Sequence, residues 1–292
     1  MIDELLPCLR CPHCARDLER VAARVLGCAG GHRYDEAKQG YVTLLPPRTR
    51  NLIADDADMI AARLRTFAAG HFAPLHRAVA AAASAFVDAA PGVILDAGCG
   101  PGTYLAEAVR ACAESPETER HRAGLGFDLS TAAARRAARV HPRVGSVVAD
   151  TFSPWPLRSG VASVVLDVFA PRNGEEMHRV LAPGGHLVVA TPEAPHLQEL
   201  RAGGAVIGID EHKAERLAAA LGPYFDLVAA DHVRWTMMLD RQGASDVAGM
   251  GPSKHHRDAG KAGSGDPGVD VMPVTGHVRL GIYRRKDAPD AA

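Results

Sequence analysis

Four side chains that could bind a metal ion occur near the N-terminus in two closely spaced pairs. Two residues separate Cys11 from Cys14, three separate Cys28 from His32, and thirteen lie between the pairs. Zinc favours tetrahedral thiolate and imidazole ligands, and a two-residue gap lets both sulfurs of one turn face the same ion. Because protein ligands would fill all four positions, the spacing predicts a structural Zn²⁺ site with no open position for catalysis.

Two alternatives accompany this prediction. Two residues also separate Cys8 from Cys11, so these two could form the first pair in place of Cys11 and Cys14. The four residues could also be scattered thiols and a surface histidine. We favour the Cys11/Cys14 pair because Pro12 preorganises its turn. A metal is expected because a segment of roughly 40 residues has too little core to fold unaided.

A glycine-rich turn follows an apolar run further along the chain. The run VILDAG contains Asp96, and Gly98, Gly100 and Gly102 follow it, with Pro101 between the last two. Such glycines let a chain turn sharply and pass close to a ligand. The spacing differs from the G-x-G-x-x-G of dinucleotide sites, and the Lys-Ser/Thr of a P-loop is absent. The D-x-G-x-G-x-G form resembles the first motif of class I methyltransferases, whose glycines contact the methionine part of S-adenosylmethionine.

Two more aspartates end later apolar runs. Asp128 stands in GFDLS and Asp150 ends VVAD. The same resemblance implies that Asp128 binds the ribose hydroxyls, where a carboxylate can accept two charge-assisted hydrogen bonds, and that Asp150 meets the adenine amino group. The alternative is that each aspartate caps a helix N-terminus. Three acids at successive strand ends favour a ligand site, since ligands in open α/β sheets bind at the carboxyl ends of the strands.

The apolar runs around these residues alternate with Ala-rich helical stretches such as 131–141. This alternation predicts βαβ units and a mostly parallel, doubly wound sheet, so the fold class is α/β. The expected architecture is a class I (Rossmann-like) methyltransferase domain with a small N-terminal zinc-binding domain. The predicted strands cover residues 93–98, 123–130, 144–150, 162–170, 185–192 and 276–285.

Changes in composition divide the chain into three parts. Residues 1–45 hold the zinc ligands, 46–70 form a linker and a lead-in helix, and 71–285 form the methyltransferase domain. Within the last part, 241–275 is rich in Gly, Ser and charge, which predicts a flexible loop. A small basic cluster in that loop could bind RNA or be solvated, and it consists of Lys254, His255, His256 and Arg257.

Composition and charge exclude some classes of protein. The 292 residues carry a formal net charge of −1, which argues against a chain that coats nucleic acid by charge alone. The longest apolar helical run, 79–86, is far shorter than the roughly 20 residues that span a bilayer. The N-terminus lacks the layout of a signal peptide. We therefore expect a cytoplasmic protein with no membrane partner.

Segments from both parts of the chain together resemble one family. The zinc-ligand pairs are followed by YDEAKQGYVTLL (34–45), AARLRTFAAGHFAPL (61–75), LDAGCGPG (95–102), DVFAP (167–171), VLAPGGHLVVATP (180–192) and HLQEL (196–200). In this order they resemble the 23S rRNA guanine-N1 methyltransferases, which bear an N-terminal zinc site. The resemblance covers most of residues 8–235, and 241–275 match the family poorly.

The resemblance implies a substrate and further site residues. The family methylates a hairpin of 23S rRNA near the peptide exit tunnel, and one branch confers resistance to tylosin-type macrolides. Ala, Arg and Gly are common in this chain, which indicates a G+C-rich gene of the kind found in actinobacteria and favours that branch. Phe72 and His196 stand where family members touch the cofactor, although each could serve packing or capping alone. The expected partner is 23S rRNA, and a homodimer stays open.

The chemistry at guanine N1 adds two candidates. N1 carries a proton that a base or water must remove, and Asp167, which begins DVFAP, could be that base or an ordinary structural aspartate. Phe169 could stack on a base lifted from its loop or pack in the core. The sequence Val168–Pro171 lacks the Asn/Asp-Pro-Pro-aromatic motif, which disfavours adenine-N6 chemistry.

Basic residues of the zinc module could contact RNA phosphates or be solvated. They are Arg10, Arg16, Arg20, Arg24, Arg33 and Lys38. Two other functions compete with RNA methylation. A small-molecule methyltransferase would keep its activity without the zinc module, and a non-enzymatic zinc-dependent nucleic-acid binder would fail to bind S-adenosylmethionine.

Overall fold

The computed structural model describes residues 1–46, 53–114, 122–204, 206, 213–251 and 271–289. The elements are α1 (Ile2–Leu5), a 3₁₀ turn (Leu6–Cys8), β1 (Glu19–Ala22), β2 (Val25–Gly27), β3 (Arg33–Asp35), β4 (Tyr41–Thr43), α2 (Ala57–Ala68), α3 (Ala73–Phe86), β5 (Val93–Ala97), α4 (Thr103–Glu114), β6 (Gly124–Asp128), α5 (Thr131–Ala137), β7 (Val144–Val148), β8 (Ala162–Val168), α6 (Gly174–Val180), β9 (Leu181–Pro192), α7 (Gln198–Ala202), α8 (Lys213–Leu221), β10 (Phe225–Asp240), α9 (Arg241–Gly249) and β11 (Val271–Arg285).

Eight strands form one large sheet in the order β10-β11-β9-β8-β5-β6-β7-β4. Strands β4 to β9 are parallel to one another, whereas β11 pairs antiparallel with both β9 and β10. Because β6 and β8 flank β5 on opposite sides, the strand order reverses at β5. The predicted α/β, doubly wound fold is therefore confirmed, and its switch point lies beside the glycine-rich turn.

Local sequence explains why these elements form. Strands β6 to β8 are nearly continuous runs of buried residues, as expected for parallel strands covered on both faces. Helix α3 packs its Ala-rich face against this sheet, with Leu75 and Val79 fully buried. Asp56, Ser130 and Asn173 cap α2, α5 and α6 by accepting hydrogen bonds from backbone N–H groups three residues ahead.

The N-terminal module is a separate three-stranded sheet, β1-β2-β3. The segments before and after these strands both contact the large sheet. Leu5 of α1 packs on Gly145 of β7, where a methyl group would lie 2.3 Å from Leu5 Cδ1. Leu9 bridges to Leu157, and β4 extends the large sheet beyond β7. Strand β4 thus lies within the predicted 1–45 module and yet belongs to the large sheet.

The prediction of a flexible loop over 241–275 is wrong at both ends of that range, which form a helix and a strand. Residues Arg241–Gly249 form α9, and β11 begins at Val271, before the predicted start at 276. Helix α9 forms despite its glycines because Asp240 caps it and because Arg65 of α2 holds Asp246 with two hydrogen bonds of 2.7 and 2.9 Å. The basic cluster at 254–257 lies outside the described residues.

Strand β10 was not among the predicted strands. It is an edge strand that is exposed on both faces along much of its length, so its sequence lacks the apolar alternation that marks a half-buried strand. Within the described ranges, none of the helices has the length and apolar character needed to cross a bilayer.

Candidate functional site

The four predicted zinc ligands come together at one end of the small sheet. Cys11 and Cys14 lie on the turn before β1, Cys28 follows β2, and His32 precedes β3. His32 Nδ1 lies 3.5, 3.6 and 3.4 Å from the Sγ atoms of Cys11, Cys14 and Cys28, and Cys14 Sγ lies 3.6 Å from Cys28 Sγ. All four donor atoms therefore face one point.

These distances fit a tetrahedral zinc ion. With Zn–S near 2.3 Å and Zn–N near 2.0 Å, the edges of such a tetrahedron measure about 3.5 to 3.8 Å. Tyr34 Oη lies 3.0 Å from Cys11 Sγ and can donate a hydrogen bond that orients this ligand. Gly30 lies so close that a methyl group there would stand 3.2 Å from Cys14 Sγ. The ligand set fits structural Zn²⁺.

Cys8 does not belong to this group of donors. Its thiol is buried in the 3₁₀ turn, and its carbonyl accepts a hydrogen bond of 2.9 Å from the backbone N–H of Arg158. The donor atoms that lie within 4.8 Å of one another belong to Cys11, Cys14, Cys28 and His32, and Cys8 is not among them. The geometry supports the Cys11/Cys14 pair over the Cys8/Cys11 alternative.

A second site opens at the carboxyl ends of the parallel strands. It is a cavity of about 660 Å³, within the usual size range of small-molecule sites. Eight of the nine predicted cofactor residues line it, and these are Phe72, Asp96, Gly98, Gly100, Pro101, Asp128, Asp150 and His196. Gly102 is the one predicted cofactor residue outside the wall.

The glycines have two different tasks. Gly98 and Gly100 have φ angles of 71° and 53°, a backbone conformation that favours glycine. A methyl group at Gly98 would lie 2.7 Å from the Cβ of Ala170, so the turn and the end of β8 touch. Gly102 shares this conformation, with a φ of 81°, and it also packs its backbone against Ala137 of α5, so that the turn and the helix approach closely.

Asp96 presents an unsatisfied buried carboxylate oxygen to the cavity. It is 2% exposed, and within the described residues its Oδ2 has no hydrogen-bond partner. Burial raises the pKa of Asp96 well above its ordinary value, and the neighbouring Asp167 and Asp128 raise it further. A cationic group in the cavity would relieve this cost. Because S-adenosylmethionine carries an amino group and a sulfonium, the residues fit that cofactor.

Asp128 and Asp150 accept local hydrogen bonds at the same edge of the sheet. The two oxygens of Asp128 accept from the N–H groups of Gly100 at 2.9 Å and Ser130 at 2.8 Å. Those of Asp150 accept from the N–H of Phe152 and the hydroxyl of Ser153. Asp128 thereby ties the glycine-rich turn to β6, and burial raises the pKa of Asp128. Direct contact of both with the cofactor stays a prediction.

Phe72 and His196 belong to a cluster of aromatic rings at the wall of the cavity. The ring of Phe72 is 1% exposed and meets His196 and Trp235 edge-on, with centroids 6.2 and 5.5 Å apart. His196 Nδ1 accepts a hydrogen bond of 3.2 Å from the N–H of His277. Sequence reasoning did not identify Trp235 and His277, because only the pairing of β10 with β11 brings them to this cluster.

The structure does not bring Asp167 to the wall of the cavity. Its carboxylate is fully buried, 3.7 Å from Arg172 Nε, whereas the next four residues line the cavity. A general base must come within hydrogen-bond reach of the proton it removes. The geometry thus favours the structural alternative for Asp167. Phe169, by contrast, is 40% exposed, which disagrees with simple core packing.

Arg63 is a cavity residue that sequence reasoning missed. Its guanidinium bonds Asp55 Oδ2 at 2.6 Å and the carbonyl of Met250 at 2.5 Å. It lies over the glycine-rich turn, since a methyl group at Gly100 would stand 2.8 Å from Arg63 Nη1. Arg63 lies within the segment 61–75 that carried the family resemblance, and the segment alone did not reveal its contacts.

The basic residues of the zinc module differ in exposure and in whether other groups of the protein already hold their side chains. Arg20 is engaged by Asp3 and Glu36, at 2.6 and 2.8 Å. Arg33 bonds the carbonyl oxygens of Cys28 and His32. Arg16, Arg24 and Lys38 are exposed, and Arg10 is half-buried.

Comparison with known proteins identifies relatives of both parts of the chain. Residues 9–51 match the protein family described as RlmA, N-terminal. Over 251 residues the chain is 45% identical to 23S rRNA (guanine(748)-N(1))-methyltransferase of Streptomyces fradiae. This alignment covers 86% of each of the two chains. Over 301 residues it is 39% identical to a Micromonospora griseorubida protein provisionally named 23S rRNA (guanine-N(1)-)-methyltransferase, covering 97% of this chain and 99% of that one.

Solved structures include similar folds. One is tRNA (m1A58) methyltransferase TrmI from Aquifex aeolicus, with a TM-score of 0.40 and 11% sequence identity. The alignment covers 83% of this chain and 74% of that one.

Proposed function

The chain belongs to the family of 23S rRNA guanine-N1 methyltransferases, and from this membership we propose that it methylates N1 of one guanine in 23S rRNA, with S-adenosylmethionine as the methyl donor. The observation that carries the proposal is the 45% identity over 86% of the chain to the Streptomyces fradiae enzyme. That relative is named for guanine 748, and we propose the same guanine here. The site of action is the cytoplasm, where ribosomes are made.

The residues of the cavity have different roles in the proposed reaction. S-adenosylmethionine supplies a methyl group that is already activated on a sulfonium. Asp96 balances positive charge, Asp128 holds the glycine-rich turn in place, and the cavity walls align the base, so that catalysis is mainly a matter of proximity. Since Asp167 is fully buried and does not line the cavity, we propose that water takes the N1 proton.

A reverse-transcription assay tests this function. The purified protein is incubated with S-adenosylmethionine and unmodified 23S rRNA, and polymerase stops are mapped. We expect one new strong stop at the exit-tunnel hairpin, because a methyl group on guanine N1 blocks Watson–Crick pairing.

Omission of S-adenosylmethionine is the control, and the stop should then be absent. If protein that binds the cofactor produces no stop, the proposal is wrong and a small-molecule substrate becomes the better one. A stop at a different guanine would support guanine-N1 methylation but show that guanine 748 is not the target.

Light scattering of the protein with its RNA distinguishes one bound copy of the chain from a homodimer.

Macrolide resistance is the proposed consequence in the cell. The methylated hairpin lies near the exit tunnel, where a methyl group can disturb a bound drug. Expression of the gene in a susceptible host that lacks this modification should raise the inhibitory concentration of tylosin. A host carrying the Asp96→Ala variant is the control, and equal susceptibility of both strains would contradict resistance without contradicting methylation.

A further inference from the structure

We propose that Phe169, supported by His196, is the surface on which the target guanine stacks inside the cavity. This inference rests on the proposed function, because it names the part of the cavity that receives the substrate base. An enzyme that modifies a base within a folded RNA must take that base out of its stack and hold it, usually against an aromatic ring.

Phe169 is placed as such a surface requires. It directly follows β8 and lines the cavity, yet 40% of its surface is exposed. Its ring lies almost parallel to that of His196, with centroids 5.8 Å apart and planes inclined by 26°. With one face toward the imidazole, the ring has its other face available to a planar ligand.

The support beneath Phe169 is buried and held by hydrogen bonds. His196 is 7% exposed, and its Nδ1 accepts from the N–H of His277. Trp235 packs beside His196 at 6.1 Å, and its indole N–H donates to the carbonyl of His71 at 2.7 Å. A surface that is already ordered loses little conformational entropy when a base stacks on it.

The backbone of this wall is strained at two places. Phe169 and Leu197 have φ angles of 59° and 57°, the left-handed conformation that favours glycine. Both line the same cavity. Strain of this kind persists only where the surrounding structure imposes it, and it concentrates at functional sites. Here it turns the Phe169 ring outward and places His196 beneath it.

The position also suits methyl transfer and RNA charge. Ala170, the next residue, touches the glycine-rich turn at Gly98, so a base on Phe169 would lie beside the cofactor part of the cavity. Arg201 and Arg216 line the cavity as well. The guanidinium of Arg201 donates to the carbonyl groups of His196 and Ala194, which holds this turn in place and leaves positive charge near an incoming backbone.

The test uses an RNA hairpin that contains the target guanine and compares Phe169→Leu with Phe169→Tyr. Leucine keeps an apolar side chain without a ring, and tyrosine keeps the ring. We expect kcat/KM for the hairpin to fall about 10- to 100-fold in Phe169→Leu, the usual effect of losing one base–aromatic stack, and to be restored largely in Phe169→Tyr. The affinity for S-adenosylmethionine, measured by calorimetry, should not change in either variant.

A second readout reports stacking itself. With 2-aminopurine at the target position, the complex with Phe169→Leu should fluoresce more strongly than those with wild type and Phe169→Tyr, because an aromatic neighbour quenches the base. Leu227→Ala is the matched control, since Leu227 is a half-exposed apolar residue on β10 outside the cavity. If wild type methylates the hairpin and Phe169→Leu matches it in rate and fluorescence, the stacking surface is refuted. If wild type does not methylate it, the proposed function itself fails.

Discussion

Replacing Cys28 with serine is expected to remove the zinc ion and abolish RNA methylation, while binding of S-adenosylmethionine persists. The strands β1, β2 and β3 have only three or four residues each, and such a sheet is not stable alone. Structural zinc contributes an apparent binding free energy of about 10–16 kcal/mol, which such a module converts into folding. The module should therefore unfold when one ligand is lost.

The large sheet should survive this change. Leu5 and Leu9 anchor the N-terminus to the large sheet through apolar contacts that do not involve the metal. Hydrogen exchange should accordingly become fast in residues 10–36 and stay slow in β5 to β8. Calorimetry should give the same S-adenosylmethionine affinity as wild type.

Metal content measured by mass spectrometry provides the control. Wild type and Cys8→Ala should each hold one zinc ion per chain, and Cys28→Ser should hold none. Zinc loss in Cys8→Ala would instead support the Cys8/Cys11 pair. Full RNA methylation by Cys28→Ser would contradict a role of the module in RNA recognition.

Changing Asp128 to asparagine should weaken S-adenosylmethionine binding about 10- to 150-fold, the effect of losing a hydrogen bond to a charged group. Both oxygens of Asp128 accept from backbone N–H groups, those of Gly100 and Ser130. An asparagine can accept with one of these atoms only, and its amide would set a donor against a donor at the other. The glycine-rich turn would then lose its fixed position, and the proposed bonds to the ribose would be lost as well.

The pH dependence of binding gives an independent check. Burial raises the pKa of Asp128 above its ordinary value of 3.8, and the proposed ribose bonds require the ionised form. Cofactor affinity in wild type should therefore decrease as the pH falls through this raised pKa, and Asp128→Asn should lack that decrease. Calorimetric titrations at several pH values measure both effects.

Asp226→Asn is the matched control for this variant. Asp226 is an exposed carboxylate on β10 that lies 3.5 Å from Arg284, and such a surface pair contributes little. Its replacement should leave cofactor affinity unchanged. If Asp128→Asn binds S-adenosylmethionine as tightly as wild type does, the ribose assignment for Asp128 is wrong.

The sequence by itself determined the features that depend on local spacing. The two pairs of zinc ligands could be predicted from the sequence because each pair lies on a single turn and the ion imposes short distances between donor atoms. The order of strands and helices was readable because buried parallel strands form continuous apolar runs. Gly98 and Gly100 were readable because a tight turn at a strand end requires left-handed backbone.

Only the tertiary structure decided what depends on contacts between distant segments. Trp235 and His277 support the cavity residues Phe72 and His196 because β10 and β11 pair far along the chain from the glycine-rich turn. Arg65, more than 180 positions earlier in the chain, donates two hydrogen bonds to Asp246 of α9. This contact holds α9 in position and helps a Gly-rich stretch to form a helix. The direction of a side chain at a strand end is equally non-local. Two residues apart on a regular strand, Asp167 and Phe169 would face the same side. Phe169 lies beyond the end of β8 with a left-handed φ, and it lines the cavity whereas Asp167 is fully buried.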